Sequence, residues 1–132
     1  MLLEVKSRMS GGVAILDLVG RITIGTEANS LRTHIMEAFQ NSSKYVLLNC
    51  EQVAYIDSSG IGELVAAHSS ILHGGGMLKL LRPPARLKGL LEMTSLDKLF
   101  EIVDDERQAI ASFSSASVAK GNQTLGAFLD DV

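Results

Sequence analysis

Tyr55-Ile56-Asp57-Ser58-Ser59-Gly60-Ile61-Gly62 is the stretch on which the fold turns. A short apolar pair gives way to a carboxylate and two hydroxyls, the usual chemistry of a helix N-terminus. Ile61, Leu64, Val65, His68, Ile71 and Leu72 then recur at helical spacing, so a helix with one apolar stripe follows. Upstream, Tyr45-Val46-Leu47-Leu48-Asn49-Cys50 is continuously apolar, as a strand covered on both faces is. Downstream, Gly74-Gly75-Gly76 ends the helix and Met77-Leu78-Lys79-Leu80-Leu81 reads as a second buried strand.

The same pattern extends outward in both directions. Glu4 to Met9 partly alternates and Gly11-Gly12 supplies a turn, so Val13 to Val19 closes a hairpin at the sheet edge. Gly20 to Gly25 reads as a loop delivering the chain to a helix that starts near Thr26, with Ala28, Leu31, Ile35, Ala38 and Phe39 inward. Pro83-Pro84 opens a third helix carrying Leu87, Leu90, Leu91 and Met93. Phe100 to Val103 is a short strand, and Asp104-Asp105-Glu106 starts a last helix through Phe113. Strands alternating with helices predict an α/β fold with a mixed, mainly parallel sheet, an N-terminal antiparallel edge hairpin and about four helices. Residues 1–113 form the expected domain. Residues 114–132 read as a loose C-terminal tail, rich in Ser and Gly, with a small apolar patch at Leu125, Phe128 and Leu129.

Composition narrows the function. The chain has 132 residues, 46% of them hydrophobic, which suits one domain with a full core. Its net charge of −3 and its four Phe, two Tyr and no Trp argue against nucleic acid as a partner. Lys79, Arg82, Arg86 and Lys88 form the one basic cluster and read as a solvated helix face. With no leader-like N-terminus and no long apolar stretch, the expectation is a soluble, cytoplasmic protein without direct membrane insertion. The single Cys50 sits within an apolar run and reads as a buried, inert thiol.

Enzyme chemistry finds little support. Ser58 and Ser59 lack the G-x-S-x-G elbow, and His68 lies on an apolar stripe rather than beside a nucleophile. His34 and His73 read as surface residues near helix ends. Cys50 and three scattered His show no zinc-type spacing, so no metal or cofactor is expected. Gly74-Gly75-Gly76 precedes a strand instead of Lys-Ser/Thr and a helix, and Gly60-x-Gly62 lacks the third glycine of a dinucleotide loop. Two compatible readings of Asp57-Ser58-Ser59 remain. One is a helix cap. The other is a phosphorylation site, in which the first-turn N–H groups and the helix dipole stabilise a covalently attached phosphoryl group. Gly60 and Gly62 keep that turn narrow enough for another backbone to approach.

Asp57-Ser58-Ser59-Gly60-Ile61-Gly62 between strand and helix resembles the signature of STAS domains in bacterial anti-sigma-factor antagonists. The likeness continues through Gly74-Gly75, through Leu80 to Leu91, and through Met93-Thr94-Ser95-Leu96-Asp97-Lys98-Leu99-Phe100, covering roughly residues 4–113. The resemblance implies a non-enzymatic switch. Its unphosphorylated form binds an anti-sigma factor that is itself a serine kinase, and so releases a sigma factor. The kinase, using ATP and Mg, phosphorylates the serine after the aspartate, here Ser58, and a serine phosphatase resets it. By the same resemblance Asp57 orients the hydroxyl, and Ser59, Gly60 and Ile61 belong to the docking surface. Where the family often carries Gly-Glu-[LIV]-Asp, this chain has Gly20-Arg21-Ile22-Thr23, so Arg21 and Thr23 bear on which partner it takes. The alternative is a STAS module that does not switch, acting as a scaffold or as a subunit of a transport or stress-signalling complex.

Overall fold

A computed structural model describes residues 3–113. The tail reading at 114–132 lies outside the described residues. In chain order the elements are β1 (Glu4–Ser10), β2 (Val13–Ile22), α1 (Thr26–Asn41), β3 (Tyr45–Ile56), α2 (Ser58–His73), β4 (Met77–Leu81), α3 (Ala85–Met93), a 3-10 turn (Leu96–Lys98), β5 (Glu101–Val103) and α4 (106–113). The sheet order is β1-β2-β3-β4-β5. Among the described residues only β1 and β2 pair antiparallel; every other pair is parallel. β3 and β4 therefore lie side by side inside the sheet with the hairpin at its edge, as their unbroken apolar character predicts.

Alternation along the strands sorts the core into two. Ala14, Leu16, Leu18, Val46, Leu48, Leu78 and Leu80 face a large core built with Leu31 and Ile35 of α1, Leu64 and Ile71 of α2, and Leu87 and Leu91 of α3. The alternate residues Val13, Ile15, Leu47 and Leu81 face a smaller core closed by Ala109 and Phe113 of α4. The three crossover helices thus share one face, and among the described residues α4 alone covers the other. Because both faces are covered, Val46, Leu47 and Leu48 are all buried, and the strand reads as continuous rather than alternating.

Three expectations change. β2 runs on through Gly20, Arg21 and Ile22, where a loop was expected, because Arg21 and Ile22 pair with Tyr55 and Ile56. β3 likewise does not stop at Cys50. A register shift between Asp17 and Val19 shows β3 bulging by the exposed Glu51, and one between Gly20 and Arg21 shows a second bulge at Ala54. The first, with the exposed Gln52 beside it, interrupts the apolar run without ending the strand. The basic cluster is no helix face: Lys79 lies in β4 and is 1% exposed, Arg82 follows that strand, and only Arg86 and Lys88 belong to α3. Smaller shifts accompany these. Pro84 stands at the N-cap of α3 rather than in its first turn, Met93 is exposed at its end, and His34 lies within α1.

Candidate functional site

The last residue of β3 hands the chain to Asp57, whose extended backbone makes it the N-cap of α2. The Gly60 N–H donates to one carboxylate oxygen of Asp57 at 2.9 Å, which satisfies an orphan donor of the first turn. The Ile24 N–H donates to the other oxygen at 2.9 Å, and the Asp57 N–H donates to the Ile22 carbonyl at 3.1 Å. One side chain thereby joins the end of β2 and the loop before α1 to the start of α2. The N–H of Gly60, with that of Ile24 behind it, holds the Asp57 carboxyl below the usual carboxylate range, so it stays ionised. Both of its oxygens are engaged by backbone, so Asp57 fixes the turn, and the cap is Asp57 rather than either serine.

This leaves the two hydroxyls in the first turn of α2 with different surroundings. Ser58 is exposed and Ser59 is half-buried. Gly60 and Ile61 are buried in the core; a Cβ on Gly60 would come within 2.9 Å of Ile22 and Ile56 atoms. The narrowness of this turn thus serves contact with the chain's own sheet. Gly62 is exposed with open space around it. Thr23, in the loop, donates to Glu27 in the first turn of α1 at 3.0 Å, and Arg21 projects over the ring of Tyr55 at 4.8 Å.

Two depressions flank the serines. One, of about 570 Å³, is lined by Tyr55, Asp57 and Ser58 on one side and by Arg86, Leu90 and Met93 of α3 on the other. The second, of about 450 Å³, lies between Ser59, Gly62 and Glu63 of α2 and Ile24, Ala28 and Asn29. Their rims carry the two most exposed large apolar side chains among the described residues, Met93 at 84% and Ile24 at 74%. Ile24, Met93, Tyr55 and Arg86 were not singled out as site residues by sequence. Met93 reads as part of an apolar helix stripe and Arg86 as part of a charge cluster, and nothing local says that α3 lies beside the Asp57 turn.

The remaining candidates lie elsewhere. His68 is buried with its ring edge against Phe100 at 4.8 Å, and burial pushes its pKa down. Cys50 is buried, and that burial pushes its thiol up to about 12, far from a reactive thiolate. Among the described residues no three His, Cys, Asp or Glu side chains gather as metal ligands would, and no helix is long and apolar enough to cross a membrane.

Known proteins share this architecture. The STAS domain model matches residues 4–109. The anti-sigma F factor antagonist of Paenibacillus polymyxa is 26% identical over 118 residues, spanning 89% of this chain and 100% of that one. Among solved structures, the Thermotoga maritima protein TM1081 superposes with a TM-score of 0.76 at 24% identity, over 83% of this chain and 94% of that chain. The Bacillus cell fate determinant SpoIIAA in its phosphorylated form superposes with a TM-score of 0.64 at 21% identity, over 83% and 98%. With the family model covering most of the chain, and the strand order and the capped turn as described, the chain belongs to the STAS domain family.

Proposed function

We propose that this protein is an anti-sigma-factor antagonist whose binding is switched by phosphorylation of Ser58. The observation that carries this reading is the Ser58 hydroxyl, exposed on a turn that Asp57 holds from two sides and bordered by the apolar Ile24 and Met93. A rigid turn with an accessible hydroxyl and an apolar border suits docking to a protein that must reach one oxygen atom. The relative named an anti-sigma F factor antagonist supports the choice of an anti-sigma factor as that protein. In the kinase step Ser58 Oγ attacks the γ-phosphorus of Mg-bound ATP. The Oγ–P bond forms as the bond from phosphorus to the bridging oxygen breaks, ADP departs, and the hydroxyl proton passes to a base of the kinase. A partner phosphatase hydrolyses the ester.

The added charge is roughly −1.5 to −2 at neutral pH. At a helix N-terminus it is locally favourable, so the fold tolerates it. Within an interface built for a neutral hydroxyl it costs on the order of 2–5 kcal/mol, or about 30-fold to several-thousand-fold in affinity. Incubation with the cognate anti-sigma kinase, ATP and Mg, followed by mass spectrometry and a binding assay, tests this. Ser58→Ala is expected to stay folded and bound in the presence of ATP, Ser58→Asp to stay folded and bind weakly, and Ser59→Ala to accept phosphate normally. Phosphate found on Ser59, or Ser58→Asp binding as tightly as wild type, overturns the assignment. One feature favours the alternative of a module that does not switch: where the family often carries two acidic residues this chain has Arg21, stacked on Tyr55, and Thr23, bonded to Glu27. A chain that takes up no phosphate from any cognate kinase is that module.

A further inference from the structure

Arg21 and Arg86 differ from the arginines around them. Arg8 is paired with Asp17 and Glu106, Arg32 with Glu63, and Arg82 with Glu51. Arg21 and Arg86 instead converge on one aromatic ring, 4.8 and 5.8 Å from the centre of Tyr55, with no carboxylate of the described residues on either. The carboxylate that shares the depression with Arg86, that of Asp57, accepts from two backbone N–H groups. Two guanidiniums thus stack on one ring with their donors free of any carboxylate among the described residues. Arg86 also shares the walls of the 570 Å³ depression with Ser58.

We infer that Arg86 is the internal receiver of the phosphoryl group on Ser58, with Arg21 adding charge from its own place against the Tyr55 ring. This deepens the switch proposed above and rests on it. A guanidinium is a planar fork of donors matched to phosphate oxygens, and the stack on Tyr55 pre-organises it at no cost in buried charge. Phosphorylation then draws Arg86 of α3 across the depression to the first turn of α2. The recess that the unmodified protein offers beside Ser58 is filled by its own side chain, and the Arg86 charge is withdrawn from any partner. The modified state is thus a closed face rather than merely a more negative one.

The test uses protein in which phosphoserine is installed at position 58 during translation, so it needs no kinase. The second ionisation of a phosphoserine lies near about 6. Its titration is followed by phosphorus NMR in the wild type, in Arg86→Gln and Arg86→Lys, and in Lys44→Gln, which removes one charge at the opposite end of β3. A guanidinium in contact holds the value down by about one unit, as an opposite charge nearby does. Arg86→Gln is expected to raise it by that amount, Arg86→Lys to restore part of the shift, and Lys44→Gln to change it by less than about 0.2 units. The Arg86 Nε–H resonance is expected to move on phosphorylation in the wild type. Equal titrations of wild type and Arg86→Gln overturn the inference. A failure of any kinase to phosphorylate Ser58 instead overturns the switch while leaving this titration readable, so the two are separable.

Discussion

At the scale of single residues, His68 has an uncommon position for an imidazole. It is buried on the inner stripe of α2, its Nδ1 has no hydrogen-bond partner among the described residues, and burial depresses its pKa. The unfolded chain therefore takes up a proton more readily than the folded one. The sign follows from linkage: stability is full above the ordinary histidine value of about 6.5 and declines as pH falls below it toward the lower folded value. The carboxyls of Asp17, Asp57 and Glu106 are also held low, the first and last chiefly by hydrogen bonds from Arg8, but their contributions vanish only nearer pH 4 and below. Thermal melts between pH 7 and pH 5 are expected to show a falling midpoint in the wild type and a nearly flat one in His68→Leu. An equal slope in both proteins would exclude His68 as the source.

Within the α2 element, two glycines two residues apart have opposite roles. The side chain of an alanine at 60 would press on Ile22 and Ile56, including the Ile22 carbonyl at 2.9 Å, and backbone cannot give way as a side-chain end can. Gly60→Ala is expected to cost about 1–3 kcal/mol in urea unfolding. At 62 there is open space, and alanine is the better helix former, so Gly62→Ala is expected to gain up to about 1 kcal/mol. The reverse order of stabilities would mean that the turn packs differently. The contrast also marks what the chain reveals before folding. The turn, its carboxylate cap and the serines are legible because capping chemistry is local. So are β4 and its place beside β3 inside the sheet, since both apolar runs are long enough to demand cover on both faces. The continuation of β3 past Cys50 is not legible, because a bulge turns Glu51 and Gln52 outward and imitates a strand end. Nor is the meeting of Arg86, Met93 and Tyr55 at the site. Their encounter depends on where α3 packs, a fact of tertiary structure with no trace in neighbouring residues.

For the molecule as a whole, the two sheet faces are unequal, and the smaller one holds a buried cation. Lys79 lies over the Phe113 ring at 4.7 Å, donates to Ser112 Oγ at 2.7 Å and meets Glu101 at 2.9 Å. Ser112 also donates to the Ala109 carbonyl, and Glu101 is half exposed, so neither is stranded if the ammonium is removed. Lys79→Met, similar in length and apolar, is expected to stay within about 1 kcal/mol of wild type or to exceed it, because the desolvation of a buried charge disappears with it. A loss of more than about 3 kcal/mol in chemical denaturation would show that the cation binds α4 to the sheet.

The sequential strand order has a consequence for how the protein is made. Each strand pairs with the one synthesised just before it, so the sheet can grow by accretion at one edge as the chain leaves the ribosome. The helices of the larger core arrive between strands and can settle as they come. Helix α4 arrives after all five strands, and until it does Val13, Ile15, Leu47 and Leu81 have no cover. A chain cut short before residue 106 therefore leaves one greasy side of its sheet open, a form exposed to chaperones and to its own neighbours.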